Sequence, residues 1–508
     1  MPDSPATLSV DVASLGVQLS EKDGSYFYRI QVYAPSASAV YLAGDSFGWE
    51  IGRPMSLMEN GVWETSYTAK APLDGQGYKF RIVNGQRTLY RPDPFAKSNE
   101  TSGGKASLFS DKPYPFGDSL WRRQTARGDN TPTHIYGIDF ALFGEKSLFD
   151  LVKNALPHLK SLSVTHILLP AMKEAYPALD IGGGDDTAKA VELCHQNGVG
   201  VLMTLTDHLP HSLRDYDGSH LFERKDDPER LNLSDPFGAA YLDRVAKAFV
   251  TRYHIDGFSL ALGEETPSVS AALRNAFPSL FLLTDRPCPE ADLVWDKARQ
   301  KALDEYFACD PYFRKGLHNA LSLPEEGRLL FENKGEEISR MSLFFGGYED
   351  KFAANRLYST LAAFTGKALY TFSANELAPF DRKSHPQWFM LSYETHRRFL
   401  AFRKALGVLY QKEPALSGES LALLYESSED NLLALKKGEL IALFNCSATQ
   451  KELLLRVPKP FTLLLHSDSV PYGGATEDGV LASYPVGEKT LFELPPLSAV
   501  IIKTSQTN

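Results

Sequence analysis

The sequence predicts a multidomain fold: an N-terminal immunoglobulin-like β-sandwich, a central (β/α)8 TIM barrel and a C-terminal all-β domain. Three patterns carry this expectation. Residues 26–109 run as short alternating segments broken by turn residues, residues 134–374 alternate apolar strand runs with helical stretches, and β patterning returns after Tyr410. At 508 residues the chain exceeds the size at which one hydrophobic core stops growing, so two to four domains are expected.

In the first domain, spanning 1–112, YFYRIQVYAP, AVYLAGD, GVWETSYTA and GYKFRIVNG read as antiparallel strands, with Trp63 in the core. Residues 113–131, ending in WRRQTARGDNT, are polar and punctuated by Pro and Gly, as a linker should be. The barrel is placed at 132–410. Its strand runs are HIYGIDF (134–140), THILLP (165–170), VGVLMTLT (199–206), IDGFSLAL (255–262), LFLLTD (280–285), DLVW (292–295), RLLFEN (328–333) and ALYTFSA (368–374). Eight strands with intervening helices, over somewhat more than the ~250 residues such a barrel needs, favour it over an open sheet. From 411 to 508, LALLYES, NLLALKKG, LIALFNC, FTLLLHS and SAVIIK form the closing β domain.

Charge and composition narrow the function. The formal net charge is −10 and no basic stretch is long enough to track a phosphate backbone, which argues against nucleic acid and anionic membrane as partners. The start, MPDSPATLSVDVASLG, has no signal-peptide pattern, and no run approaches the ~20 apolar residues of a membrane span, so a soluble cytoplasmic protein is expected. Cys194, Cys288, Cys309 and Cys446 form no CxxC pair; they read as buried thiols, with neither a disulfide framework nor a zinc site, and no cofactor or metal is expected.

The strings VYLAGDSFGWE, GVWE, GYKFRI and RPDPFA resemble the carbohydrate-binding module that precedes the barrel in branching and debranching enzymes. LPHLKSLSVTHILLPAM, ELCHQNGVGV, RYHIDGF and ACDPYFRKGLHNAL resemble successive barrel segments of bacterial glycogen branching enzymes, and HSDSVPYGG and LPPLSAVIIK resemble their closing β domain. Their order and spacing cover nearly the whole chain. On these residues the protein is identified as a branching-enzyme-like relative within the α-amylase family.

That resemblance implies a chemistry the residues do not supply. Retaining glucan-active enzymes use a carboxylate nucleophile and a carboxyl acid/base about 5–5.5 Å apart. The family's fourth strand carries the nucleophile Asp, with an Arg two residues before it; here these positions are Ala261 and Ser259, in a register locked by His254-Ile255-Asp256-Gly257-Phe258. The family's acid/base Glu ends the fifth strand, where this chain has Asp285, one methylene shorter. Its seventh strand ends His-Asp, and here Glu332-Asn333 stands. The family's third-strand Asp is matched only with a gap by Thr204-Leu205-Thr206-Asp207-His208, so Asp207 reads as an offset replacement or as a turn-capping residue. The family's long loop with a sugar-stacking tyrosine is reduced to KEAYPALDI, in which Tyr176 is a substitute or a plain surface residue. Asp207, Asp285, Glu264 and Glu332 are the candidate relocated acids.

In the module, the resemblance implies glucan contacts from Trp49, by stacking, and from Lys79, by hydrogen bonding, with Tyr90 close by and Arg87 where the family has a further Trp. Trp49 has an alternative role packing against the barrel. The expectation is therefore a catalytically degenerate protein, a pseudo-enzyme that binds α-glucan polysaccharide or a glucan-metabolising enzyme. An active branching enzyme or glycoside hydrolase with relocated acids and a protein-interaction scaffold are the alternatives.

Overall fold

A computed structural model describes residues 10–100, 106–110, 113–124, 132–140, 147–171, 185–309, 328–329, 348–378, 388–458 and 460–504. The N-terminal part is two antiparallel sheets. One runs in the order Gly16–Lys22, Ser25–Tyr33, Val62–Ala69, Ser56–Leu57. The other runs Gly48–Pro54, Ala39–Gly44, Gly77–Asn84, Ser107–Leu108, Ser98–Asn99, with Arg87–Arg91 also paired to Gly77–Asn84. The period-2 pattern explains the packing: Tyr28, Ile30 and Val32 from one sheet meet Val40, Leu42, Phe80 and Ile82 from the other. Trp63 is buried with them and donates its Nε1 proton to the Ala34 carbonyl at 3.1 Å.

The central part is a parallel sheet of eight strands of TIM-barrel type. Each predicted run holds one strand: His134–Gly137, His166–Leu169, Gly200–Thr206, Gly257–Ala261, Phe281–Thr284, Leu293–Trp295, Arg328–Leu329 and Leu369–Phe372. Strands consecutive in the chain pair in parallel from the first to the seventh, and the eighth returns to pair with the first, as barrel topology requires. Alternate residues face opposite ways. Val201, Met203 and Leu205 pack toward the helices, whereas Leu202 joins Ile135, Leu168, Leu283, Leu293, Trp295 and Tyr370 in a separate interior cluster. Gly257 is required by proximity: a Cβ there would lie 2.1 Å from the Phe281 carbonyl oxygen.

Helices between the strands begin where the sequence supplies caps. Ser147 accepts from the Asp150 amide ahead of Leu148–Ser161, and Asp235 accepts from the Phe237 amide ahead of Pro236–Tyr253, whose first residue is a proline. His254 ends that helix in the left-handed conformation, at φ 55°.

The C-terminal strands form a five-stranded sheet in the order Leu421–Ser427, Leu432–Lys437, Leu440–Asn445, Ser498–Thr504, Phe461–His466, and a three-stranded sheet of Lys451–Leu455, Lys489–Leu494 and Ser483–Val486. No described helix is long and apolar enough to cross a membrane. The expectation of four buried thiols needs correction: Cys194 and Cys446 are buried, Cys288 is half-buried and Cys309 is exposed, because it lies just past the helix Lys297–Ala308.

Candidate functional site

Ladder register places the candidate residues at the C-terminal end of the barrel. Thr204 pairs with Ser259 and Thr206 with Ala261, so these side chains alternate with Leu205 and Leu260, which are buried against the outer helices. Ser259 is 4% exposed, and its Oγ accepts a hydrogen bond from Trp295 Nε1 at 3.0 Å. The Trp295 ring stands edge-on to Tyr370, centroids 4.9 Å apart. The space beside the Ser259 position is thus filled by an indole from the sixth strand. Ala261, two residues further on the same face, contributes a methyl group at the strand's end.

The carboxylates are dispersed. The Asp285 amide donates to the Leu260 carbonyl, and its Oδ1 accepts from Thr266 Oγ1 at 2.8 Å. Thr266 is buried at the start of the helix Thr266–Ala276, so Asp285 is drawn toward the segment that follows the fourth strand. Asp207 is 8% exposed. Both its oxygens accept from Arg230 Nη1, at 2.9 and 3.0 Å, and its carbonyl accepts from the Leu231 amide at 2.6 Å. The turn-capping reading of Asp207 is therefore corrected: its carboxylate grips a guanidinium and holds the 222–235 segment over the third strand. The same carboxylate, by hydrogen bond and charge, raises the Arg230 pKa further above its ordinary value. The Glu264 side chain is 89% exposed and ion-paired with Arg286 at 2.8 Å.

A cavity of about 660 Å³ opens beside these strands, walled by Asp207, Arg224, Asp226, Arg230, Glu264 and Glu265 among others. It brings Asp207 together with Glu264 and Glu265; Thr204, Ser259, Ala261 and Asp285 are not in its wall. Glu332, Asn333 and Tyr176 lie outside the described residues.

On the module, Gly77, Lys79 and Arg81 occupy one face of a strand by parity. The Trp49 indole rests on that face. A Cβ at Gly77 would touch its Cζ2 at 3.4 Å, while Trp49 Nε1 donates to Asp45 Oδ1 at 3.1 Å and Asp45 Oδ2 accepts from the Gly77 amide at 2.7 Å. Trp49 remains 40% exposed. Tyr90, also exposed, pairs with Arg81 across the ladder, and the Arg81 guanidinium lies 3.9 Å over the Tyr41 ring. Burial lowers the Lys79 pKa, against the raising influence of Glu100.

One face therefore carries Trp49, Lys79, Tyr41, Arg81 and Tyr90. Tyr41 and Arg81 escaped the sequence reading, although the i, i+2 spacing of Arg81 from Lys79 was the available signal. Arg87 points elsewhere: it forms an ion pair with Asp215 of the barrel, beside Arg91, which donates to the Asp215 and Tyr216 carbonyls at 2.6 and 3.1 Å.

Residues 14–96 match Carbohydrate-binding module 48 (Isoamylase N-terminal domain). The chain is 26% identical to a 1,4-alpha-glucan branching enzyme of Rhodopirellula baltica, across 96% of this chain and 82% of that one. It is also 26% identical to the branching enzyme of Aquifex aeolicus, across 79% and 78%. A variant pullulanase from Paenibacillus barengoltzii, solved with maltotetraose, superposes with a TM-score of 0.76 over 98% of this chain and 96% of that one, at 14% identity, and so shares the fold. Module, barrel and closing β domain thus recur in one order, and over most of its length the chain is similar to branching enzymes of the α-amylase family.

Proposed function

We propose that this protein binds α-glucan through its N-terminal module and does not cleave or transfer it. The observation that supports the reading is the end of the fourth strand: Ala261 offers a methyl group where the family's mechanism needs a carboxylate, and Ser259 is sealed by Trp295. A glycosyl ester cannot form on a methyl group. The glucan is a linear α-linked chain, the class represented by the maltotetraose in the pullulanase complex, and its site is the face bearing Trp49, Lys79 and Tyr90. The protein works in the cytoplasm, with a glucan-metabolising enzyme as the partner that performs the chemistry.

Glycogen co-sedimentation and a branching assay on amylose test this together. Expected are binding by the intact chain, loss of about 1–3 kcal/mol of binding in Trp49→Ala, weak dependence on salt, and no turnover above background. Binding that survives Trp49→Ala unchanged would move the site off the module; no binding at all would favour a scaffold that contacts protein only. A second reading rests on the cavity that gathers Asp207, Glu264 and Glu265. It requires turnover that Asp207→Asn or Glu265→Gln abolishes. Turnover abolished instead by Asp285→Ala would place the acid at the family position.

A further inference from the structure

Between the module and the helix Pro236–Tyr253 lies a second cavity, of about 360 Å³. Phe95 and Lys97 of the module and Ser110 at its end face the helix, where Arg244, Ala248, Thr251 and Arg252 share one side by their i, i+4, i+7 and i+8 spacing and Val245 lies beside them. Among the described residues no Asp or Glu lines it.

The two arginines are held in place without a carboxylate. Arg244 donates to the Leu15 carbonyl at 2.8 Å and to the Val12 carbonyl, and its guanidinium lies 4.2 Å over the Phe95 ring. Arg252 donates to Ser110 Oγ at 3.0 Å. Neither forms an ion pair among the described residues, and carbonyl or hydroxyl acceptors leave a full positive charge on each. Two carboxylates outside the cavity wall, Asp93 and Asp11, act on Arg244 by charge; Asp93 is buried, accepting from Tyr78 and the Phe95 amide, and burial pushes its carboxyl pKa up, which weakens it as a counter-charge, while no carboxylate is paired with Arg252 among the described residues. The cavity is thus positive, with an apolar wall, and its volume falls in the range of small-molecule sites, roughly 300–1,000 Å³.

We propose that this cavity binds a small phosphorylated metabolite of sugar-phosphate size, its phosphate held by Arg252 and Lys97 and its body lying against Phe95 and Val245. Guanidinium forks match phosphate oxygens in pairs, which favours phosphate over a lone carboxylate. Because the walls belong to both module and barrel, the ligand bridges them and stabilises their contact by linkage.

The test is calorimetric titration and thermal melting of the full-length protein with a hexose monophosphate, with inorganic phosphate and with the free hexose. The hexose monophosphate is expected to bind and raise the melting temperature; the free hexose is not. Arg252→Ala should weaken binding at least about tenfold, and Arg252→Lys less, since one ammonium replaces one fork. Absence of heat with the hexose monophosphate would overturn the proposal. So would an affinity unchanged by both Arg252→Ala and Arg252→Glu, or a free hexose that binds as tightly as its phosphate. Equal affinity for inorganic phosphate and the hexose monophosphate would overturn the role given to Phe95 and Val245.

Discussion

Ser259 and Trp295 show how one residue type changes the use of a strand. With a long guanidinium at 259, an indole could not lie within hydrogen-bonding distance of the strand; with serine it does, at 3.0 Å. Restoring the family residues by Ser259→Arg, Ala261→Asp and Asn333→Asp together is therefore expected to leave the protein inactive. The arginine meets Trp295 in a packed interior, where overpacking costs about 1–3 kcal/mol. Urea midpoints should show that loss for Ser259→Arg alone, and pairing it with Trp295→Leu should recover part of it. Branching activity in the triple variant, or an unshifted midpoint in Ser259→Arg, would refute the steric argument. The strand position of Ala261 was legible from sequence, because His254-Ile255-Asp256-Gly257-Phe258 sets the register. Its neighbour's new partner was not, since Trp295 is 36 residues away in the chain.

Among the elements, the strand Leu432–Lys437 ends in an unusual cation. Lys437 is 2% exposed, and its Nζ donates to the carbonyl of Gly366, just past the helix Tyr348–Thr365, at 2.7 Å and to that of Leu416 at 2.6 Å. Burial, aided by the nearby charge of Lys367, lowers its pKa to about 7 from an ordinary 10.5. Two carbonyl acceptors can be satisfied by a neutral amine as well as by an ammonium. Between those two pH values the unfolded chain binds the extra proton, so folding stability rises with pH across the window and the cost of the buried charge is greatest below it. Relief on the order of several kcal/mol is expected between pH 7 and 10. Unfolding midpoints of the wild type and Lys437→Met, followed over that range, should diverge in favour of the wild type as pH rises; parallel curves would refute it. Strand periodicity announced this element, but a terminal lysine in a strand reads as solvated, and only the packing of a helix end on the strand buries it.

At the scale of the molecule, the segment 113–124 is strapped across the N-terminal end of the barrel by charge. His195 lies between Asp118, at 2.8 Å from Nδ1, and Asp256, at 3.0 Å from Nε2, while Asp118 also contacts His254 and Asp256 accepts from Trp121 at 2.8 Å. Burial opposes a charge on His195, but hydrogen bonds and charge from Asp256 and Asp118 outweigh it and raise its pKa above 6.5. Burial likewise opposes the Asp118 carboxylate, and the bonds from His254 and His195 reverse that, taking its pKa below 3.8. The His195 contribution is complete below pH 6.5 and lost as pH rises through its raised pKa, while that of Asp118 is lost only under strong acid. His195→Gln should therefore cost roughly 3 kcal/mol near pH 6, the scale of breaking a buried ion pair, and less at pH 9. Denaturant titrations at both pH values measure this; an equal loss at both would mean that the histidine acts by shape alone.

The sequence by itself determined the order of the parts and the eight barrel strands. Those follow from local periodicity and from motifs whose members are near neighbours in the chain. Tertiary structure alone decided what each group touches. Asp207 reads as an offset acid or a turn cap until Arg230 folds back onto it, Arg87 reads as the replacement of a platform Trp until Asp215 claims it, and Tyr41 joins Arg81 only when their strands pair. The same holds for the positive cavity between Arg252 and Phe95, whose walls are far apart in the chain. Side-chain charge and hydrogen bonding act over a few ångströms of space rather than along the chain, so their partners emerge only when the sheets and helices have packed.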